Sequence, residues 1–230
     1  MTQQSEERSL IRGKMPIGKV DQAPTFLQLG ILVLDGSGSM NELTAKKITK
    51  GQEVSNAVRD LISRFKASTL KNNFRLAVVN YDHSAKIVMD ISKIQSIDDN
   101  KSFDPTIGMG GTTSVAEGLK IAKQLAETFL STKEEGGLNM KVLILVISDG
   151  LDMTEQETVS VANSLKSNPS IQIASCFLET LGGDIQGMNS ASDFLKSLTS
   201  DITLFSRVNN TESLRDFFHR SMSQAAGRKI

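Results

Sequence analysis

Ile31-Leu32-Val33-Leu34-Asp35-Gly36-Ser37-Gly38-Ser39 is the stretch on which the fold turns. A short branched apolar run that ends in an acid and then passes into small hydroxyl residues between glycines reads as a buried strand opening into a loop. That loop offers oxygen atoms at alternate positions, Asp35, Ser37 and Ser39. Oxygen-only donors suit a hard divalent cation such as Mg²⁺ or Mn²⁺.

Working outward, strand-like runs alternate with helical patterns. Strands are expected over residues 26–34, 74–81, 85–90, 142–148, 171–178 and 202–208, several of them near-continuous apolar runs of the kind buried on both faces of a parallel sheet. Between them the apolar spacing becomes helical. Val54, Val58, Leu61, Ile62 and Phe65 line one face of a helix near 44–68, and Val115, Leu119, Ala122, Ala126 and Phe129 do so for 114–131. Thr154 with Glu157 has a capping-box spacing before a helix carrying Val159, Ala162 and Leu165. Residues 190–198 and 214–222 complete the set. The short link Tyr81-Asp82-His83-Ser84 reads as a hairpin, giving one antiparallel edge strand in an otherwise parallel six-stranded sheet. The fold class is therefore α/β, a Rossmann-like doubly wound sheet with helices on both faces. Ligands of such sheets sit beyond the carboxyl ends of the strands where strand order reverses, and Asp35 follows the first main strand. It is expected there on a solvent-facing loop, with Gly36 and Gly38 allowing the chain to turn tightly.

The 230 residues suit one large domain with a tail: a polar extension over 1–25, a domain over 26–226 and a short tail over 227–230. Basic and acidic residues balance at 26 each, which removes the global field that would favour nucleic acid or anionic lipid as a partner. No apolar run approaches the roughly 20 residues that span a bilayer, and residues 1–25 lack a secretory h-region, so a cytoplasmic location is expected. The single cysteine, Cys176, lies in the apolar run 171–178 and reads as a small buried hydrophobe.

Two further segments fall at the same end of the sheet as Asp35. Gly110-Gly111-Thr112-Thr113-Ser114 leads into a helix, and Ser148-Asp149-Gly150 ends a strand. With these residues in view the chain resembles a von Willebrand factor A (vWA) domain carrying a metal-ion-dependent adhesion site. Asp35, Ser37 and Ser39 match the family pattern Asp-x-Ser-x-Ser, Thr113 matches its later threonine and Asp149 its later aspartate. Thr113 is preferred to Thr112 by its spacing to Gly118-Leu119, with Thr112 left open. The Phe217-Phe218 pair in the last helix is similar to that of intracellular bacterial stand-alone vWA proteins of the tellurite-resistance TerY type, although two phenylalanines docking a helix would look the same.

The resemblance implies a Mg²⁺ site, with Mn²⁺ or Ca²⁺ as alternatives. Ser37, Ser39 and Thr113 would ligate through hydroxyls, and Asp35 and Asp149 through bound waters. It implies a protein partner that supplies an Asp or Glu to the metal, no nucleic acid, no membrane, and an adaptor role in a bacterial stress-response or tellurite-resistance-like complex. It also implies no enzymatic activity. The alternative is a Mg²⁺-dependent phosphatase or hydrolase using Asp35. Against it, an aspartyl-phosphate phosphatase needs a second Asp where Ser37 stands, and neither a phosphate-binding loop nor a dinucleotide-binding glycine pattern is present. A structural scaffold with an unused site is the third reading. His83, Asn41, Met109, Leu151 and Met153 are candidates for the rim of the site, and His219 for a helix face.

Overall fold

The computed structural model describes residues 26–132, 138–179 and 184–227. The proposed extension 1–25, most of the loop 133–139 and the last three residues lie outside them. Six strands, β1 (Phe26–Asp35), β2 (Phe74–Tyr81), β3 (Ala85–Lys93), β4 (Asn139–Ser148), β5 (Ile171–Leu178) and β6 (Phe205–Val208), form one sheet in the order β3-β2-β1-β4-β5-β6. Only the β2–β3 pair is antiparallel, and it is closed by the expected hairpin, in which Asp82 N–H donates to the Ser84 carbonyl at 2.8 Å. The chain winds from β1 out to β3 and then returns to β4 on the other side of β1. The reversal therefore falls between β1 and β4, whose last residues are Asp35 and Ser148.

All ten residues of β1 are buried because their side chains alternate between two cores. Leu32 and Leu34 pack with Val54, Val58, Leu61, Ile62 and Phe65 of α1 (Lys50–Ala67) and with Leu214, Phe217, Phe218 and Met222 of α5 (Thr211–Ala226). Leu29, Ile31 and Val33 face the other way. There they meet Val115, Leu119, Ala122, Ala126 and Phe129 of α2 (Val115–Ser131), Ala162 and Leu165 of α3 (Glu155–Lys166), and Leu195 and Leu198 of α4 (Ile185–Leu198). Helices thus cover both faces. Gly118 lets α2 lie close, since a Cβ there would come within 2.6 Å of Val33 and 3.0 Å of the Tyr81 ring. No described helix is long and apolar enough to cross a membrane.

Several boundaries differ from the sequence reading, each for a local reason. α1 begins at Lys50 rather than near 44, because Thr49 and Gln52 form a capping box and the preceding residues turn back through a Leu43–Thr49 bridge. Thr154 does precede α3, but its hydroxyl donates to Asp152 Oδ1 at 2.9 Å, so the box expected with Glu157 does not form. Val159, expected on the packed face of α3, is 38% exposed. Residues 202–204 form a 3₁₀ turn because Asp201 accepts from Thr203 N–H, which delays β6 to Phe205. α4 and α5 start several residues earlier than read, at the side-chain caps Asp184 and Asn210.

Candidate metal centre

Asp35 is the last residue of β1, in register with Tyr81, and it is fully buried rather than on a solvent-facing loop. Ser37 N–H donates to its Oδ1 at 2.8 Å and Ser148 Oγ–H to its Oδ2 at 2.6 Å. Burial, reinforced by the neighbouring Asp149 carboxylate, pushes Asp35 up to about 6 despite those donors. The same burial, with Asp35 beside it, raises the Tyr81 phenol well above its ordinary value. The Tyr81 hydroxyl donates to the Ile147 carbonyl at 3.2 Å, tying β2 to β4 across β1.

The other expected residues converge on this point. Ser37 and Ser39 share a hydrogen bond between hydroxyls at 3.2 Å, and Ser39 Oγ–H donates to Asp149 Oδ1 at 2.6 Å. Gly150 faces the remaining hydroxyl: a Cβ built there would lie 4.0 Å from both Ser39 Oγ and Thr113 Oγ1. Thr113 is buried and Thr112 exposed, so of the two open threonines it is Thr113 that turns toward the cluster. Asp149 Oδ2 accepts from Lys50 Nζ at 2.5 Å, a buried ion pair that the sequence reading missed. Lys50 also pairs with Glu42 at 2.7 Å.

The glycines of the first loop act differently from expectation. Positive φ occurs among described glycines only at Gly108, Gly110 and Gly227. Gly36 is needed for close approach instead: a Cβ there would collide with the Pro105 carbonyl and sit 2.9 Å from Met109 Cβ. At Gly38 it would meet only the Gly110 carbonyl at 3.5 Å, an ordinary contact.

Two buried carboxylates position the loops. Asp82 accepts from the N–H groups of Gly110 (3.2 Å), Gly111 (3.0 Å) and Ser84 (2.9 Å), fixing the segment that delivers Thr113. Burial alone would raise Asp82, but those donors outweigh it and hold the carboxyl below its ordinary range. Asp152 accepts from Val115 N–H (3.1 Å), Thr154 N–H (3.1 Å) and Thr158 Oγ–H (2.5 Å), joining the starts of α2 and α3. Neither role was read from the sequence, although the Asp-x-Ser and Asp-x-Thr spacings of 82–84 and 152–154 are the local signal for such turns.

This donor set fits a hard dication held largely through hydroxyls. Among the described residues no group of three or more His, Cys, Asp and Glu could hold a metal, so soft or imidazole-rich sites are not offered. Around the cluster stand Leu43, Ile107, Leu151 and Met153, all exposed, whereas Met109 is half-buried against Gly36. His83 is exposed, 3.2 Å from Asp82 and packed on Gly111. His219 lies on α5 in a tilted, edge-type contact with Phe65, and Cys176 is buried with its thiol raised by desolvation.

The family model for the von Willebrand factor type A domain matches residues 31–220. No curated protein matches the chain significantly. Among solved structures, the pilus adhesin SpaC of Lactobacillus rhamnosus GG superposes with a TM-score of 0.68 at 12% identity, covering 90% of this chain and 30% of its own. A von Willebrand factor type A protein of Catenulispora acidiphila gives 0.62 at 15%, covering 88% and 43%. BatB of Bacteroides thetaiotaomicron gives 0.57 at 16%, covering 87% and 99%. The chain thus spans less than half the length of the first two, and at these identities the likeness is one of fold.

Proposed function

We propose, from the premise that this chain belongs to the von Willebrand factor type A domain family, that it is a divalent-metal-dependent protein-interaction module. In this reading Ser37, Ser39 and Thr113 hold Mg²⁺ through their hydroxyls, with Asp35 and Asp149 behind them. Mn²⁺ and Ca²⁺ are the alternatives. When bound, the ion supplies a positive centre that accepts a carboxylate from an Asp or Glu of a partner protein. The observation that carries this reading is the convergence of three distant loops on one cluster of hydroxyls backed by two carboxylates.

The chain's own residues set the character of such a site. Neutral hydroxyls leave a dication's charge largely uncancelled, which favours an anionic partner group. Four of the eight large apolar side chains exposed among the described residues, Leu43, Ile107, Leu151 and Met153, sit on the loops around the cluster, as suits docking of a protein. Adhesins and pilins among its structural neighbours fit the same idea. An adaptor role in a bacterial intracellular stress-response or tellurite-resistance-like complex, at a cytoplasmic location, is the setting we propose; it rests on the TerY-type likeness of the Phe217-Phe218 helix. Both phenylalanines are buried in the core beneath the sheet, so they serve packing as well.

Two features speak for the binding reading over the hydrolase alternative. Asp35, its required nucleophile, is sealed beneath Ser37 and Ser148 with no exposed surface, and Ser37 stands where the acid would be needed. Isothermal calorimetry with Mn²⁺, followed by capture of partners with and without EDTA, tests the proposal. Expected are a single saturable site and captured proteins lost on chelation. A calorimetric blank, or turnover of generic phosphoesters that Asp35→Asn abolishes, would overturn it.

A further inference from the structure

Lys50 is out of place by ordinary rules. It is the first residue of α1, where the positive end of the helix dipole disfavours a cation. Its side chain is only 3% exposed, although ammonium groups are almost never buried unless paired. Thr49 and Gln52 already cap this helix, so helix formation does not need Lys50. What retains it is Asp149, whose carboxylate is fully buried and accepts from Lys50 Nζ at 2.5 Å, with Glu42 at 2.7 Å on its outer side. The other oxygen of the same Asp149 carboxylate accepts from Ser39.

We infer that Lys50 is a tethered counter-cation of the metal centre, an affinity-setting residue that neutralises Asp149 in the metal-free protein and competes with the dication for it. The inference rests on the proposed metal reading. Two buried carboxylates, Asp35 and Asp149, repel each other across the cluster, and the Lys50 ammonium offsets one of them. A dication entering among Ser37, Ser39 and Thr113 must share Asp149 with that ammonium or displace it. Glu42, half-exposed and already on Lys50, is the acceptor that keeps the ammonium paired as the exchange occurs. The site therefore binds its ion more weakly than its oxygen donors alone would allow, and the metal-free domain stays folded.

The test compares wild type with Lys50→Met, which keeps the length of the chain and removes the charge. Mn²⁺ titration by calorimetry is expected to give affinity about tenfold or more tighter for the variant, because like-charge repulsion at close range in a buried site is large. In EDTA the variant is expected to melt below wild type, and saturating Mn²⁺ should remove most of that gap. Should Lys50→Met fail to fold in EDTA, Lys50→Gln, which retains a hydrogen-bond donor toward Asp149, carries the same comparison. Equal or weaker Mn²⁺ affinity in the folded variants, with wild type binding normally, overturns the role of Lys50 alone. Absence of Mn²⁺ binding to wild type and variants alike overturns the metal reading on which it depends.

Discussion

Asp35 carries a conflict between stability and function that is measurable without any partner. Its carboxyl releases a proton near 3.8 in the unfolded chain but only at about 6 in the metal-free fold, chiefly because it is buried. Between those values the native state holds more protons than the unfolded one, so this contribution to stability is present in full below about pH 4 and is lost as pH rises through 6. The shift corresponds to about 3 kcal/mol. In urea denaturation with EDTA, Asp35→Asn should therefore gain on wild type by up to that amount between pH 4 and 7; a difference that stays flat across the range would contradict it. The same variant should lose Mn²⁺ binding. Gly36 and Gly38 give a second contrast at this scale. Gly36→Ala drives a methyl into the Pro105 carbonyl and should cost about 2 kcal/mol or more, while Gly38→Ala meets only an ordinary contact and should stay within about 0.5 kcal/mol. Chemical denaturation separates them. In the sequence the two glycines are equivalent, because their difference lies in the 105–109 loop that folds over one and not the other.

At the scale of elements, the loop face at the carboxyl end of the sheet depends on Asp152, which binds the first amide of α2 and the turn into α3 together. Its carboxylate also accepts from Thr158 within α3, and Ser114 and Thr154 share a hydroxyl bond beside it at 2.9 Å. Asp152→Ala leaves several buried donors without an acceptor and should cost about 3 kcal/mol. Amide exchange at Val115 and Thr154 should accelerate well beyond that at Leu119, which lies inside α2; uniform acceleration would mean that Asp152 stabilises the whole fold rather than this junction. Much of the element order was legible beforehand. β2 and β5 match their expected bounds because continuous apolar runs between polar turns leave no other register. The hairpin at 81–84 was equally plain, and the three segments that meet at the carboxyl end of the sheet were read from their glycines and hydroxyls, with Thr112 left open beside Thr113. The starts of α1, α4 and α5 were not, since the caps at Thr49, Asp184 and Asn210 are single polar side chains whose role is decided by which way the backbone turns. Nor could spacing reveal Lys50 against Asp149, a pair 99 residues apart in which the start of α1 meets the residue that follows β4.

For the whole molecule, the two cores and the site are stabilised by different means, and this fixes what a metal can do to stability. Helices α1 and α5 on one face and α2, α3 and α4 on the other bury most of the sheet, and of the carboxyl-end loops Met40 and Phe103 join the first core. Those loops gather charge, with Asp35, Asp149 and Lys50 all buried within reach of one another. A dication bound there acts on a fold that already exists and adds stability by mass action, because the unfolded chain scatters the five donors along more than a hundred residues. At a free Mn²⁺ concentration one hundred times the dissociation constant the gain is about 2.7 kcal/mol. For a domain of this size that corresponds to a rise in melting temperature of about 5–10 °C. Scanning calorimetry across a Mn²⁺ series should show the melting temperature climbing with the logarithm of concentration once the site is saturated, with no second transition. Asp35→Asn should show no climb over the same series. A climb of equal size in that variant would mean that the ion acts elsewhere on the surface, and the convergence of loops at the carboxyl end of the sheet would need another explanation.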